Sequence, residues 1–296
     1  MTTMLDELSQ SLAQNVESAG PSVVRVEGRR RLPATGVVWS EDGIIVTANH
    51  VLKRDDNIVV GLADGQAAKA TLVGRDPGAD LAVVRLESDD LTPAKWLADG
   101  MRVGHLVLAL GRPGRTVQAT FGIISALGDG WRTATGGQID HYLQTDVVMY
   151  PGFSGGPLVN SDGQFLGLNT SALLRGVSLT VPASTIERTV NALLTHGRMR
   201  RGYLGVSTQP VRLPEPSRDE LGQETGLLIA NVEPDSPAGK GGLLLGDTII
   251  KIDDTPVRHH DDLLSWLSAD RVGQKTPLTI LRGGEIRTIN ITIGER

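Results

Sequence analysis

The chain has 296 residues, of which 40% are apolar and 21% are charged, with a formal net charge of −5 and no cysteine. This is the composition of an ordinary soluble globular protein of about two domains. It argues against non-specific nucleic-acid binding, which needs a basic face, and it excludes disulfides and thiolate chemistry.

A helix is predicted for residues 1–20. Its apolar side chains recur at helical spacing and form one stripe: Leu5, Leu8, Leu12 and Val16. Gly20-Pro21 ends the helix, and its polar face is not basic. We therefore expect it to dock on the domain that follows rather than on a membrane surface.

Residues 21–182 are predicted to form two small β-barrels. Short β-branched runs alternate there with turn signals such as Glu41-Asp42-Gly43. The first set of strands is carried by five runs: Val23–Val26, Gly36–Trp39, Ile44–Val46, Ile58–Leu62 and Leu81–Leu86. The second set is carried by six: Leu106–Leu110, Thr120–Ala126, Tyr142–Thr145, Leu158–Val159, Phe165–Leu168 and Val177–Val181. Two sets of about six strands each predict two barrels with a groove between them.

Residues 183–201 are predicted to form a linker helix, and residues 202–296 a third, smaller unit. Gly197 lies just beyond the end of the linker helix. The last unit is expected to contain strands and three further elements: a short helix from Ser236 to Leu243, a helix from Asp261 to Ala269, and a hairpin from Leu278 to Ile293 turned by Gly283-Gly284.

The segment Pro151–Pro157 carries the strongest chemical signal, because Ser154 lies there in a glycine-rich turn. A serine hydroxyl is a poor nucleophile unless a base takes its proton and donors hold the oxyanion that forms after attack. His50, in the stretch Thr47–Val51, is the candidate base, since imidazole exchanges protons near neutral pH. Asp80, at the start of an apolar run, is the candidate that orients His50. The order His, Asp, Ser is that of the chymotrypsin-type triad.

The sequence offers further candidates for these roles. Asp76 competes with Asp80, but Asp76-Pro77 is a turn signal that explains the aspartate by itself. The backbone N–H groups of Gly152 and Ser154 are the candidates for the oxyanion hole, since glycine allows conformations that other residues resist. The remaining histidines are expected to be structural: His105, His141, His196, His259 and His260. No ligand spacing is present among histidines and carboxylates, so no metal or cofactor is expected.

Together these motifs resemble the HtrA (Deg) family of trypsin-like serine proteases with one C-terminal PDZ domain. The matching stretches begin near Pro21 and run to the end: Gly43–Val51, Asp76–Leu86, Leu143–Asp146, Ser154–Asn160, Tyr203–Val206 and Gly246–Ile250. The resemblance implies a mainly β fold, with two six-stranded β-barrels of the chymotrypsin type over residues 21–182 and an α+β PDZ domain over residues 202–296. It also implies a serine endopeptidase that cleaves unfolded or exposed polypeptide in protein quality control and stress response.

The same resemblance suggests where substrate and peptide bind. The primary specificity pocket would be lined by apolar residues and would favour a small or medium apolar side chain before the scissile bond: Val148, Met149, Leu179 and Val181. The loop that holds the carboxylate of a peptide C-terminus would be formed by four consecutive residues: Tyr203, Leu204, Gly205 and Val206. Spacing alone leaves open how Leu263, Leu264 and Leu267 divide between this groove and the core.

The chain departs from the family pattern at several positions. Phe153 and Tyr150 stand where the family usually has asparagine, and Asp129 stands where an arginine often couples the PDZ domain to the active site, with Arg132 the nearest substitute. No aromatic residue precedes Trp39, although family trimers often pack N-terminal aromatics. These departures motivate an alternative, a latent protease that acts as a peptide-binding scaffold or chaperone. They leave a homotrimer and activation by PDZ ligands open.

The sequence also leaves the cellular compartment open. The N-terminus lacks the pattern of a secretory signal, and no apolar run approaches the roughly 18 residues that a membrane span needs. As written, the chain is expected to be cytoplasmic. If its N-terminus has been trimmed, a periplasmic or otherwise extracytoplasmic location is expected instead.

Overall fold

The computed structural model describes residues 3–30, 32–88, 91–267 and 271–295. The chain divides into two compact units, Met1–Met199 and Arg200–Arg296. Each unit has its own hydrophobic core. None of the helices in these described ranges is long and apolar enough to cross a membrane.

Helix α1 spans Met4–Ala19 and leads into one turn of 3-10 helix at Gly20–Ser22. Leu12 and Val16 pack against the core of the first unit, whereas Leu5 is 76% exposed. The predicted apolar stripe therefore docks through its second half only.

The first barrel closes through six antiparallel strands in the order β1-β2-β3-β6-β5-β4. Their bounds are Val23–Glu27 (β1), Ala34–Val38 (β2), Ile44–Ala48 (β3), Ile58–Gly61 (β4), Ala67–Asp76 (β5) and Leu81–Leu86 (β6). Strand β5 is the one that the sequence analysis did not identify. Exposed residues such as Lys69 and Thr71 interrupt its buried positions, so it lacks the continuous apolar run of its neighbours.

The second barrel also closes through six antiparallel strands, in the order β11-β14-β13-β12-β7-β8. Their bounds are Leu106–Gly111 (β7), Gln118–Gly128 (β8), Tyr142–Thr145 (β11), Pro157–Asn160 (β12), Phe165–Thr170 (β13) and Ser178–Pro182 (β14). A short two-stranded sheet, β9 (Trp131–Arg132) with β10 (Gln138–Ile139), lies between β8 and β11 in the chain. The prediction of two six-stranded barrels is confirmed.

Helix α2, Ala183–His196, completes the first unit. Its buried face packs into the core cluster that contains the first barrel, through Ile186, Val190 and Leu193. Gly197, in the left-handed conformation, ends the helix as expected from the sequence.

The second unit combines a curved antiparallel sheet with short helices. Its strands are Gly202–Tyr203 (β15), Val206–Arg212 (β16), Thr225–Val232 (β17), Thr248–Ile252 (β18), Thr255–Pro256 (β19), Lys275–Arg282 (β20), Glu285–Thr292 (β21) and Gly294–Glu295 (β22). Its helices are Glu215–Leu221 (α3), Pro237–Gly241 (α4) and His260–Trp266 (α5). The main path of the sheet is β16-β17-β18-β20-β21. The predicted helix Asp261–Ala269 corresponds to α5, and its last two residues lie outside the described ranges.

Candidate active site and peptide groove

The pairing of β3 with β6 brings His50 and Asp80 together. Ala48 at the end of β3 pairs with Leu81 at the start of β6, so the residues just beyond these positions lie side by side. A 3-10 turn at Asn49–Val51 presents His50, and its Nδ1 lies 2.7 Å from Asp80 Oδ2. The Asp80 side chain is 5% exposed and that of His50 is 24% exposed, so the imidazole is held from its buried end.

The Asp80 carboxylate takes part in three hydrogen bonds. Besides the ring contact, Oδ1 accepts from the His50 backbone N–H at 2.8 Å, and Oδ2 accepts from the Thr170 hydroxyl at 2.5 Å. The φ of Asp80 is +55°, which is uncommon for a residue other than glycine and often marks a functional site. Because an ionised carboxylate only accepts, His50 Nδ1 carries the ring proton and Nε2 is left as an acceptor.

Arg75, on β5, braces the turn that carries His50. Its guanidinium donates to five acceptors: Asn49 O at 3.4 Å, Asn49 Oδ1 at 3.0 Å, Leu52 O at 3.0 Å, Arg54 O at 3.0 Å and Asp55 Oδ1 at 2.6 Å. Since these acceptors lie before and after His50 in the chain, one side chain fixes both ends of the turn. The sequence analysis did not single out Arg75.

Ser154 lies on the loop between β11 and β12, called the nucleophile loop (residues 146–156) below. Its Oγ lies 3.2 Å from the Oγ of Ser171. The residue before Ser171 is Thr170, which bonds Asp80, so two consecutive residues contact the two ends of the candidate triad. Within the described part of the chain, no hydrogen bond joins Ser154 to His50. Such catalytic contacts are often long until substrate binds.

In the glycine-rich turn that carries Ser154, the N–H groups of Gly152 and Ser154 have no acceptor among the described residues. The N–H groups between and beside them, of Phe153 and Gly155, donate to backbone carbonyls at 3.0 and 2.9 Å. Gly152 has a φ of +95°, and a Cβ there would lie 2.6 Å from Pro113 Cβ, so a side chain does not fit. Paired donors without a partner, beside a nucleophile, are what an oxyanion hole requires.

Phe153 is fully buried in the core of the second barrel. Its ring meets that of Tyr150 edge-on, with ring centroids 5.8 Å apart. A Cβ at Gly111 would lie 2.6 Å from the Phe153 ring, so the glycine makes the space that the aromatic ring fills. The unusual residue before the nucleophile therefore anchors the loop by packing.

The four residues expected in the specificity pocket have different environments. Val148 is 55% exposed, and Met149 packs against the core of the second barrel. Leu179 and Val181 are buried in the core, with 2% and 0% exposure. Val148 is thus the member of this set that solvent reaches most freely, and the pocket assignment stays a prediction.

The second unit contains a cavity of about 340 Å³ lined by the predicted loop Tyr203–Val206 and by residues of α5 and its C-terminal end. The division of the three leucines is now clear. Leu263 is 5% exposed and belongs to the core, Leu264 is 46% exposed, and Leu267 is partly buried. Leu264 therefore forms an exposed wall of this cavity, which we call the peptide groove.

In the predicted carboxylate loop, two backbone carbonyls accept hydrogen bonds, whereas the N–H groups of the same residues have no acceptor among the described residues. The carbonyls of Leu204 and Gly205 accept hydrogen bonds from Ala238 N–H and Glu233 N–H, each at 2.8 Å. The N–H groups of Leu204 and Gly205 have no acceptor in the part of the chain that the structure describes. Two donors thus remain available beside the groove.

His260 also lines the groove, although the sequence analysis treated it as structural. It is the first residue of α5, and its Nε2 lies 2.8 Å from Thr208 O on β16. The imidazole therefore links the helix to the strand along which a peptide would add. The signal that could have found it is its position at the start of a helix predicted to flank the groove.

Two further sequence-level candidates have plain structural surroundings. Asp76 is 3% exposed, and its carboxylate accepts from Gly78 N–H at 2.9 Å, as its turn sequence suggests. Asp129 is exposed just beyond β8, where its carbonyl accepts from Tyr142 N–H at 3.2 Å. Among the described residues, no group of three or more His, Cys, Asp or Glu side chains is arranged to hold a metal ion.

Two models of known protein families match this chain, one in each of its two compact units. Residues 34–168 match the model of a trypsin-like peptidase domain, and residues 202–293 match that of a PDZ domain. A probable periplasmic serine endoprotease, DegP-like, of Pseudomonas fulva is 37% identical over 267 residues, which are 88% of this chain and 55% of the relative. A protein with the same description from Halomonas elongata is 36% identical over 90% of this chain and 57% of the relative. The chain thus spans little more than half the length of these curated relatives.

Solved structures match nearly the whole chain. The serine endoprotease from Yersinia pestis has 30% identity and a TM-score of 0.79, and the match covers 96% of this chain and 97% of that one. The HtrA-type protease AlgW with a tripeptide has 32% identity and a TM-score of 0.77, with the same coverage of both chains.

Asp80→Asn should slow covalent labelling of Ser154 by a fluorophosphonate, a reagent for activated serine hydroxyls, by roughly 10³- to 10⁴-fold. The amide can offer His50 an N–H in place of an acceptor, which favours the wrong tautomer of the imidazole. Asp76→Asn is the matched control, since it alters an equally buried aspartate, and should leave the rate within about threefold because the amide oxygen can still accept from the Gly78 N–H. Mass spectrometry of the labelled chain gives the rates. Equal slowing by the two substitutions would remove Asp80 from the orienting role.

Ser171→Ala should speed the same labelling by roughly 2- to 10-fold, the worth of one neutral hydrogen bond. Its hydroxyl is the partner of Ser154 Oγ, and without it the nucleophile is freer to turn toward His50. Ser161→Ala, in the exposed turn after β12, is the control. Slower labelling of the Ser171 variant would mean that this contact aids Ser154 instead of restraining it.

Proposed function

Because the chain belongs to the HtrA-type family of trypsin-like serine proteases that carry a PDZ domain, we propose that it is a serine endopeptidase that cleaves unfolded or exposed polypeptide in protein quality control. The observation that carries the proposal is one constellation within the first unit. The His50–Asp80 pair is linked through Thr170-Ser171 to Ser154, and the N–H groups of Ser154 and Gly152 have no acceptor among the described residues.

In the proposed reaction, Ser154 Oγ attacks the scissile carbonyl carbon while its proton passes to His50 Nε2. The carbonyl π electrons move to oxygen, and this oxyanion accepts hydrogen bonds from the N–H groups of Gly152 and Ser154. The C–N bond then breaks, and His50 gives its proton to the leaving amine. A water molecule that His50 deprotonates attacks the acyl-enzyme, and the collapse of that second intermediate returns the proton to Ser154 Oγ.

Asp80 orients the imidazole and stabilises its charged form in both halves of the reaction. The three donors to its carboxylate, from His50 N, His50 Nδ1 and the Thr170 hydroxyl, support that role because they leave the carboxylate no freedom to turn. Arg75 supports it from the other side by bracing the His50 turn.

The substrate is proposed to be polypeptide with a small or medium apolar residue before the scissile bond. Val148 and Tyr150, 55% and 54% exposed, offer apolar surface on the nucleophile loop, and this surface suits an extended apolar segment better than a charged one. The relatives' names as serine endoproteases support a peptide bond as the target.

The second unit is proposed to bind peptide C-termini. The free N–H groups of Leu204 and Gly205 suit a terminal carboxylate, and the exposed wall at Leu264 suits an apolar last side chain. The peptide would add as a strand beside β16, next to His260. The resemblance to a protease solved with bound peptides adds support.

We extend two properties of the family to this chain as part of the proposal. The curated relatives are named periplasmic, and fractionation of cells that produce the full-length protein would test that location. A homotrimer is also proposed, with the exposed Met4 and Leu5 of α1 as apolar surface available for contact in the absence of N-terminal aromatics. Sedimentation of the chain would test the trimer.

The alternative function is a latent protease that serves as a peptide-binding scaffold or chaperone. The contact of Ser154 with Ser171, in place of one with His50, is the specific observation that favours it. Cleavage of unfolded casein separates the two functions, because a scaffold would bind casein and leave it intact.

Ser154→Ala should lower the rate of casein cleavage by several orders of magnitude, about 10⁶ in a comparable triad. The alanine removes the nucleophile without adding bulk. Fluorescence release from labelled casein, without added metal, measures the rate, and Ser161→Ala is the control. An alanine variant as active as the parent would show that the nucleophile lies elsewhere.

A peptide with a free apolar C-terminus should bind the Ser154→Ala chain at least roughly tenfold more tightly than its C-terminal amide, because the amide loses the charge-assisted hydrogen bonds of the carboxylate. Leu264→Ser should weaken binding of the acid, whereas Leu244→Ser, at another exposed leucine of the same unit, should not. Calorimetry measures all three affinities. Equal affinity for acid and amide would remove the carboxylate-binding role.

In the active chain, binding of this peptide should raise the rate of casein cleavage little, since Asp129 stands where the family often has the coupling arginine.

A further inference from the structure

The side chain of Thr35, on β2 of the first barrel, is fully buried and bonds two backbone groups of the second barrel. Its hydroxyl donates to Gly152 O at 2.7 Å and accepts from Arg112 N–H at 2.8 Å. Both the donor and an acceptor site of the hydroxyl are therefore used. Neither bond survives a rotation of the side chain, so the hydroxyl has one orientation.

The backbone of Thr35 makes two more bonds. Its N–H donates to Ser154 O at 3.3 Å, and its carbonyl accepts from the Thr47 hydroxyl at 2.7 Å. Thr35 thus bonds the residues on both sides of Phe153, through its side chain at Gly152 and through its backbone at Ser154.

These bonds fix two peptide planes of the nucleophile loop. The Gly152 carbonyl and the Phe153 N–H belong to one peptide unit, and the N–H of that unit is held by Tyr150 O at 3.0 Å. The Ser154 carbonyl and the Gly155 N–H belong to another unit, whose N–H is held by a backbone carbonyl at 2.9 Å. Each plane is bonded at its oxygen to Thr35. At its nitrogen, the first plane is bonded within the loop to Tyr150 O and the second to Asn169 O on β13, so neither can flip without breaking two bonds.

The two free N–H groups lie in the peptide units next to these planes. The N–H of Ser154 lies between them, and the N–H of Gly152 lies in the unit before the first. Gly152 has no side chain to restrict its backbone, so its ψ is limited by the two hydrogen bonds of the following peptide unit, at the Gly152 carbonyl and at the Phe153 N–H.

Arg112, whose backbone N–H donates to the Thr35 hydroxyl, is itself held in place by its side chain. Its guanidinium is buried and donates to three carbonyls: Gly20 O at 2.9 Å, Val23 O at 2.6 Å and Arg115 O at 2.7 Å. Burial lowers the pKa of this guanidinium. The N–H group that donates to the Thr35 hydroxyl therefore belongs to a residue whose side chain makes three further hydrogen bonds.

We propose that Thr35 is a positioning residue that holds the N–H groups of Gly152 and Ser154 in the geometry that binds the oxyanion. The inference rests on the proposed acyl transfer at Ser154. Thr35 does not touch substrate. It acts through the carbonyl of Gly152, and its loss leaves that carbonyl and the Arg112 N–H buried without partners.

The test compares Thr35→Val, which keeps the shape and loses the hydroxyl, with Thr35→Ser, which keeps the hydroxyl. Thr185→Val, on helix α2, is the matched control, since Thr185 is equally buried and its hydroxyl accepts from the Asp140 N–H at 2.9 Å, outside the nucleophile loop. A short chromogenic peptide gives kcat and KM. A peptide boronic acid of the same sequence gives an inhibition constant for a tetrahedral adduct of Ser154, and thermal unfolding reports the fold.

Thr35→Val should lower kcat by roughly 10- to 100-fold, less than the loss seen when an oxyanion donor itself is removed. KM should change by less than about twofold, and boronate affinity should fall by the same factor as kcat, since both depend on the tetrahedral oxygen. Thr35→Ser should recover most of the loss. Thr185→Val should lower the unfolding temperature comparably and leave kcat and boronate affinity unchanged.

Other outcomes overturn the inference separately from the proposed function. Failure of the parent chain to cleave any peptide would contradict the protease itself. A parent that cleaves, with a folded Thr35→Val variant of equal kcat, would contradict only the role of Thr35. The role of Thr35 would also be contradicted if Thr35→Ser lowered kcat as much as Thr35→Val does, or if Thr35→Val raised KM and left kcat unchanged. If Thr35→Val does not fold, Thr35→Ala, which lacks the hydroxyl and adds no methyl beside the Gly152 carbonyl, decides the same question.

Discussion

The carboxylate of Asp80 joins the two barrels. It belongs to the first barrel, yet Oδ2 accepts a hydrogen bond from the hydroxyl of Thr170 in the second barrel, and the backbone N–H and ring of His50 supply two further bonds. A buried carboxylate is costly unless each lone pair finds a donor. These donors come together only when both barrels are closed and in register, so the same condition that makes the buried charge tolerable also aligns the imidazole with the nucleophile loop.

In the first unit, the candidate site is held in place by polar contacts around His50 and by apolar packing at Phe153. Around His50 the restraints are polar, with Arg75 on one side and Asp80 on the other. On the nucleophile loop they are mixed, because Phe153 is anchored by its ring in the apolar core while Thr35 holds the adjacent carbonyls. An aromatic anchor needs no counter-charge, and it leaves the neighbouring backbone donors free for an incoming oxyanion.

Much of the fold follows from local pattern, because apolar runs bounded by glycine turns mark most of the strands. Strand β5 escapes this pattern since its exposed face interrupts the apolar run. The candidate triad could be predicted because each of its three residues lies in a short, contiguous motif. Residues such as Thr35 and Thr170 could not be found this way: each is an ordinary threonine in a strand, 117 and 90 residues in sequence from its partner at the site. His260 and Leu264 needed the position of α5 beside β16.

The two units share one backbone feature, which on the proposed roles would bind two kinds of negative charge. In each, a tight turn bonds some of its backbone groups and leaves neighbouring N–H groups without an acceptor among the described residues, at Gly152 and Ser154 in one and at Leu204 and Gly205 in the other. A terminal carboxylate is a permanent charge, so modest alignment of the donors is enough to bind it. An oxyanion exists only in passing, so donors that must already be aligned when it forms need stronger restraint. That difference accounts for the buried hydroxyl of Thr35 behind the first pair of donors.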